Sequence, residues 1–199
     1  MKKRIAYIML AICLLGLAGC KKGDSQTIDQ AEIKENTTLL YADGTVQSVI
    51  VETFDKDYYK KDELKNYVDK SIQSYSKTAG KDAVKLDSLD VKDKSASAKF
   101  SYKDISAYAT FNSIEAEILT KEQALKDERI SSTVYSIEKE ETVDLQTALE
   151  EKDYKILIIH LPGENIMTEG EIAYYTNGTL SGNSIIKTGS EGIAVVIYE

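Results

Sequence analysis

Tyr154-Lys155-Ile156-Leu157-Ile158-Ile159-His160-Leu161-Pro162-Gly163 is the stretch whose reading decides the fold. Four successive large apolar residues closed by Pro-Gly are too few for an amphipathic helix and do not alternate. Such a run predicts a strand covered on both faces, a central strand of its sheet. Downstream, residues 171–176 and 193–198 read as further strands, separated by Asn177-Gly178 and a glycine-rich stretch that supplies turns. Residues 151–199 are therefore expected to form a small all-β module, an antiparallel sandwich either separate from or continuous with what precedes it.

Working back toward the N-terminus, residues 39–41 and 45–54 are β-rich and flank Ala42-Asp43-Gly44, a hairpin signal. Leu64, Tyr67, Val68, Ile72 and Tyr75 recur at spacings of three and four, one face of a helix, with Asp62 as its expected cap and Gly80 as its stop. That stripe, tyrosines included, is expected to pack into the core. Val84, Leu86, Leu89 and Val91 give a strand with a phase slip, and Ala96, Ala98, Phe100 and Tyr102 alternate as its antiparallel neighbour across residues 92–95. Ile105, Tyr108 and Phe111 fit a short helix or a strand, and residues 114–119 a strand. Thr120 with Gln123 three residues on reads as a capping box. Residues 133–137 predict one more strand, and Leu145, Ala148 and Leu149 a short helix. The predicted fold class is α+β: an antiparallel sheet with packed amphipathic helices over residues 38–150, followed by the all-β module of residues 151–199.

The N-terminal segment carries a different message. Lys2, Lys3 and Arg4 precede an apolar run from Ile5 to Leu17, and Leu17-Ala18-Gly19-Cys20 closes it. Basic residues, an apolar stretch and small residues make a secretory signal peptide, and the run falls short of the roughly 20 apolar residues that span a bilayer. Cys20 directly after Gly19 resembles the lipobox of bacterial lipoprotein precursors. The resemblance implies cleavage after residue 19 and a diacylglycerol-bearing Cys20, lipidated on the extracytoplasmic face of the cell membrane. Two or three acyl chains on one cysteine anchor stably, each buried methylene contributing about 0.8 kcal/mol. Residues 20–37 are polar apart from Ile28, Ala31 and Ile33 and read as a flexible tether. Residues 154–199 also resemble the C-terminal β-modules of small uncharacterised lipoproteins from Gram-positive gut bacteria, a likeness that carries no activity with it.

Removing residues 1–19 leaves a chain from Cys20 to Glu199, long enough for one domain or two small ones. It also takes away Cys13 and three positive charges, so the remainder has about −11 rather than the −8 of the whole chain. That balance repels phosphate backbones, and no nucleic-acid partner is expected. With Cys20 lipidated, no thiol is left for a disulfide or a thiolate metal site.

His160 is the single histidine, so a histidine-rich metal site is impossible, and a Ser-His-Asp triad would have to use His160 without a G-x-S-x-G elbow. The bland reading is a strand histidine. Asp55-Lys56-Asp57 and the Asp87, Asp90, Asp93 series are interleaved with lysines and lack the D-x-[DN]-x-[DN]-G pattern of a calcium loop, which leaves solvated loop and strand edges. Gly178, Gly182, Gly189 and Gly192 do not make a phosphate cradle. The Asn36 and Asn177 sequons match glycosylation acceptors in form only. No catalytic residue, cofactor or metal ligand is assigned. The expected function is a non-enzymatic, membrane-tethered lipoprotein binding a partner or ligand at the cell envelope. The rivals are a carboxylate-dependent hydrolase of envelope glycans and, lower, a transporter-associated substrate-binding protein.

Overall fold

A computed structural model of the chain describes residues 27–150 and 152–199. Cys20, the signal segment and residues 20–26 of the expected tether lie outside the described residues. Along the chain, β1 (Thr37–Leu40) and β2 (Val46–Thr53) form the expected hairpin, turned at Gly44. α1 (Lys61–Ala79) follows and stops at Gly80, whose φ of 96° no side-chain-bearing residue adopts without strain. The cap differs from expectation: Lys60 holds the N-cap position without a side-chain bond to the helix amides, and Asp62 lies inside the first turn. β3 (Val84–Lys92) and β4 (Ser95–Tyr102) pair antiparallel through Asp93 and Lys94, both at positive φ, and the phase slip is a register shift between Leu86 and Ser88.

α2 (Ile105–Asn112) is capped by the Asp104 side chain and leads into β5 (Glu115–Leu119). The Thr120/Gln123 capping box is formed and starts the four-residue α3 (Lys121–Ala124). β6 (Thr133–Ser136), β7 (Glu141–Asp144) and the four-residue α4 (Leu145–Ala148) complete the part of the chain that precedes the apolar run. Then come β8 (Lys155–His160), β9 (Asn165–Thr168), β10 (Ile172–Thr176), β11 (Gly178–Leu180), β12 (Ile185–Thr188) and β13 (Ala194–Tyr198).

These strands assemble into a seven-stranded sheet, order β11-β12-β9-β1-β2-β4-β3, and a six-stranded sheet, order β5-β8-β13-β10-β6-β7. The expected α+β class is thereby corrected. Among the described residues the protein is mainly β, 40% strand against 20% helix, built on two sheets of seven and six strands with only four helices. The expectation of purely antiparallel pairing is corrected as well, since β1 runs parallel to β9. Nor do the C-terminal strands make a sandwich of their own: β9, β11 and β12 extend the first sheet, while β8, β10 and β13 build the centre of the second. The physical reason is that an apolar strand face records how much surface must be buried, not which element buries it.

Three apolar layers result. Leu157 and Ile159 of β8 and Val196 and Tyr198 of β13 meet Leu40, Val46, Ile166 and Ile186 of the larger sheet between the two sheets. Ile156 and Ile158 of β8 and Val195 and Ile197 of β13 point the other way, into a second cluster closed by Ala124, Ile130, Leu145 and Leu149. β8 is thus apolar on both faces because both faces are covered, as its sequence requires. The outer face of the larger sheet carries the third cluster, in which Ile28, 3% exposed, packs on Leu39, Tyr41 and Val49. Residues 27–36 therefore lie on the sheet: Gln30 donates to the Ser97 carbonyl at 2.7 Å and the Ile28 carbonyl accepts from Lys99 Nζ at 2.8 Å.

Candidate functional site

β2, β4 and β3 run side by side, and on their inner face Ile50, Ala98 and Leu89 stand in register, with Ala96 one pair further along. α1 lies over this part of the sheet with Leu64, Val68, Ile72 and Tyr75 turned inward, a four-four-three spacing that stays on one helical face. Beneath the first turns of the helix β4, the middle strand of the three, contributes Ala96 and Ala98, small side chains that leave space between helix and sheet. The space is a groove of about 520 Å³, within the range of small-ligand sites.

Ile50, Phe54, Leu64, Val68, Ala96 and Phe100 are buried or half-buried in its walls. The rim is exposed. Tyr58 and Tyr67 are each 71% exposed and Tyr59 39%, an aromatic edge left uncovered among the described residues. The three aromatics of the loop before α1 support one another: the Tyr59 ring is 4.9 Å from Phe54 and meets Tyr58 edge to face at 5.0 Å. Glu52, Lys60 and Glu63 are the charged residues of the lining. Lys60 Nζ donates to the Asp57 carbonyl at 3.1 Å, whereas the Glu52 and Glu63 carboxylates make no hydrogen bond or ion pair among the described residues. A ligand entering here would meet apolar walls, tyrosine rings and two unneutralised carboxylates.

This site corrects the expectation for the helical tyrosines. Tyr75 is half-buried and meets Phe111 edge to face at 5.5 Å, but Tyr67 stands at the margin of the buried face and turns outward to the groove. The sequence holds one signal that would have found the site: Phe54, Tyr58 and Tyr59 sit in a loop otherwise made of aspartates and lysines, where aromatic rings have no core to enter.

The residues singled out from the sequence are not brought together. His160 is exposed at the end of β8, opposite Glu115 of β5, and makes no hydrogen bond or ion pair among the described residues. Asp87 accepts from Ser101 Oγ at 2.6 Å, Asp90 lies 3.6 Å from Lys61 Nζ, and Asp55 pairs with Lys56 at 3.3 Å. No group of three or more His, Cys, Asp or Glu able to hold a metal occurs among the described residues. Both sequon asparagines are built into the fold. Asn36 donates to Glu164 at 3.0 Å and accepts from the Val51 amide at 2.8 Å, and Asn177 donates to the Glu191 and Ile193 carbonyls.

One further charged centre was not anticipated. Arg129 holds Asp127, Glu115 and Glu117 at 2.5, 2.6 and 3.2 Å, and its hydrogen bonds keep the Asp127 carboxyl at a pKa of about 2. The three carboxylates satisfy the guanidinium, so the cluster ties β5 to the loop after α3 and presents no free group for chemistry. Comparison with known proteins leaves the fold and the groove to carry the functional argument, because no family model, curated protein or solved structure matches this chain.

Proposed function

We propose that this chain is a ligand-binding lipoprotein, held at the extracytoplasmic face of a bacterial membrane by acylated Cys20, whose groove between α1 and the larger sheet takes the apolar part of an envelope ligand. The groove carries the reading: apolar walls with an uncovered tyrosine rim are what a binding site needs and what a stable core avoids. The lipobox at residues 17–20 supports the address.

The glycan-hydrolase alternative ranks lower, because the buried walls of the groove offer no hydrogen-bonding side chain, and burying sugar hydroxyls unpaired costs several kcal/mol. The transporter-associated reading ranks lower because it calls for two lobes around a cleft, and here both sheets share one apolar layer.

Two measurements on the full chain test the proposal. Cells expressing the protein should retain it in membranes washed at high salt, and Cys20→Ala should release it, since salt removes ionic contacts and leaves acyl burial. Titration with the neutral dye Nile red should show binding that Tyr67→Ala weakens roughly fivefold, the worth of one ring contact. Retention of Cys20→Ala in washed membranes overturns the anchor, and dye binding indifferent to Tyr67→Ala overturns the groove.

A further inference from the structure

Within that groove-binding reading, on which this step rests, we infer that the preferred occupant is a small amphiphile whose apolar body fills the groove and whose head is a cationic ammonium group. Three observations converge on the head. The two carboxylates of the lining, Glu52 from β2 and Glu63 from α1, are exposed and without partners among the described residues, while the single lysine there is committed to a backbone carbonyl. With two carboxylates against one ammonium, charge at the mouth is net negative, on a chain whose overall charge is −8.

Tyr58, Tyr59 and Tyr67 present exposed rings at the same mouth, and ring faces attract cations. An ammonium bearing methyl groups suits this mixture, since it needs no hydrogen-bond acceptor and gains from both rings and carboxylates. The walls further in carry no hydrogen-bonding side chain, which disfavours sugar or phosphate heads and suits an alkyl body.

The test is calorimetric titration of the full chain with octyltrimethylammonium and with octyl sulfate, both below their micelle concentrations. The cation should bind about tenfold more tightly than the anion, the combined scale of an exposed cation–ring contact and a surface ion pair. The double variant Glu52→Gln/Glu63→Gln should cut the ratio to about threefold, the part the rings supply, and Asp153→Asn, a change of charge away from the groove, should leave it intact. Melting curves of each variant verify the fold. Equal or tighter binding of octyl sulfate overturns the inference, as does a preference that the double variant leaves undiminished. In either case Nile red binding by the unaltered chain, still weakened by Tyr67→Ala, would keep the groove. Absence of that dye binding would instead place the failure in the groove reading itself.

Discussion

Tyr198 is 1% exposed between the two sheets, and its hydroxyl has no hydrogen-bond partner among the described residues. Its neighbours in the same layer are treated differently. Tyr108 shares a hydrogen bond with Thr38 at 2.8 Å, and Tyr102 with Ser48 at 3.1 Å and Asn112 at 3.2 Å. Burial alone pushes the Tyr198 phenol up to about 12. A phenol whose folded pKa lies above the unfolded value of about 10 contributes stability that is complete below pH 10 and is lost as pH rises toward 12. Tyr198→Phe keeps the ring and removes the orphaned hydroxyl, so it should raise stability by about 1 kcal/mol at neutral pH. It should also reduce the loss between pH 10 and 12, leaving the part due to Tyr102 and Tyr108, which burial raises in the same direction. Urea denaturation at several pH values measures both effects. A variant destabilised at neutral pH would mean that the hydroxyl is satisfied, by water or otherwise.

At the scale of elements, β8 shows what the sequence could and could not say. Its unbroken apolar run correctly required cover on both faces, but the covers are strands of the other sheet on one side and the single turns α3 and α4 on the other. The slip in β3 was legible because Leu86 and Leu89 are three apart, which breaks a period of two, and the register shift falls between them. The parallel pairing of β1 with β9 was not legible, because Thr37 and its partner Asn165 lie near opposite ends of the chain and nothing local encodes the match. The groove escaped for a related reason: a helical stripe gives the direction of the helix face, but Tyr67 lies at its margin, where the depth of packing decides exposure. The same contrast predicts mutational cost. Ile158→Ala, at 0% exposure in β8, removes methylenes and leaves a cavity, and should cost about 3 to 4 kcal/mol. Ile50→Ala, half-buried beside a groove that is already open, should cost about 1 kcal/mol. Chemical denaturation of the two variants compares them directly, and equal costs would mean that the groove is closed in solution.

For the whole molecule the decisive feature is how strands from the two ends of the chain are interleaved. Among the described residues β5 pairs only with β8, and β6 has β10 and β7 as partners, so a chain ending at residue 150 leaves the second sheet with a lone strand and an isolated hairpin. The first sheet would lose β9, β11 and β12 from one side of β1, and the layer between the sheets would lose Leu157, Ile159, Val196 and Tyr198. Two-stranded hairpins do not stand alone in water, and a sheet whose inner face has lost its cover exposes the apolar surface that held it together. A fragment of residues 27–150 is therefore expected to be unfolded, and so is the fragment of residues 152–199, although the composition of the latter suits a small β-module. Mixed in equal amounts, the two should regain strand signal by circular dichroism together and only together, since β8, β13 and β10 supply the centre that β5 and β6 need. Folding of the intact chain should be slow for its size, because pairing β1 with β9 closes a very long loop before any contact rewards it. Cooperative thermal unfolding of the 27–150 fragment by itself would contradict this account and restore a boundary near residue 150.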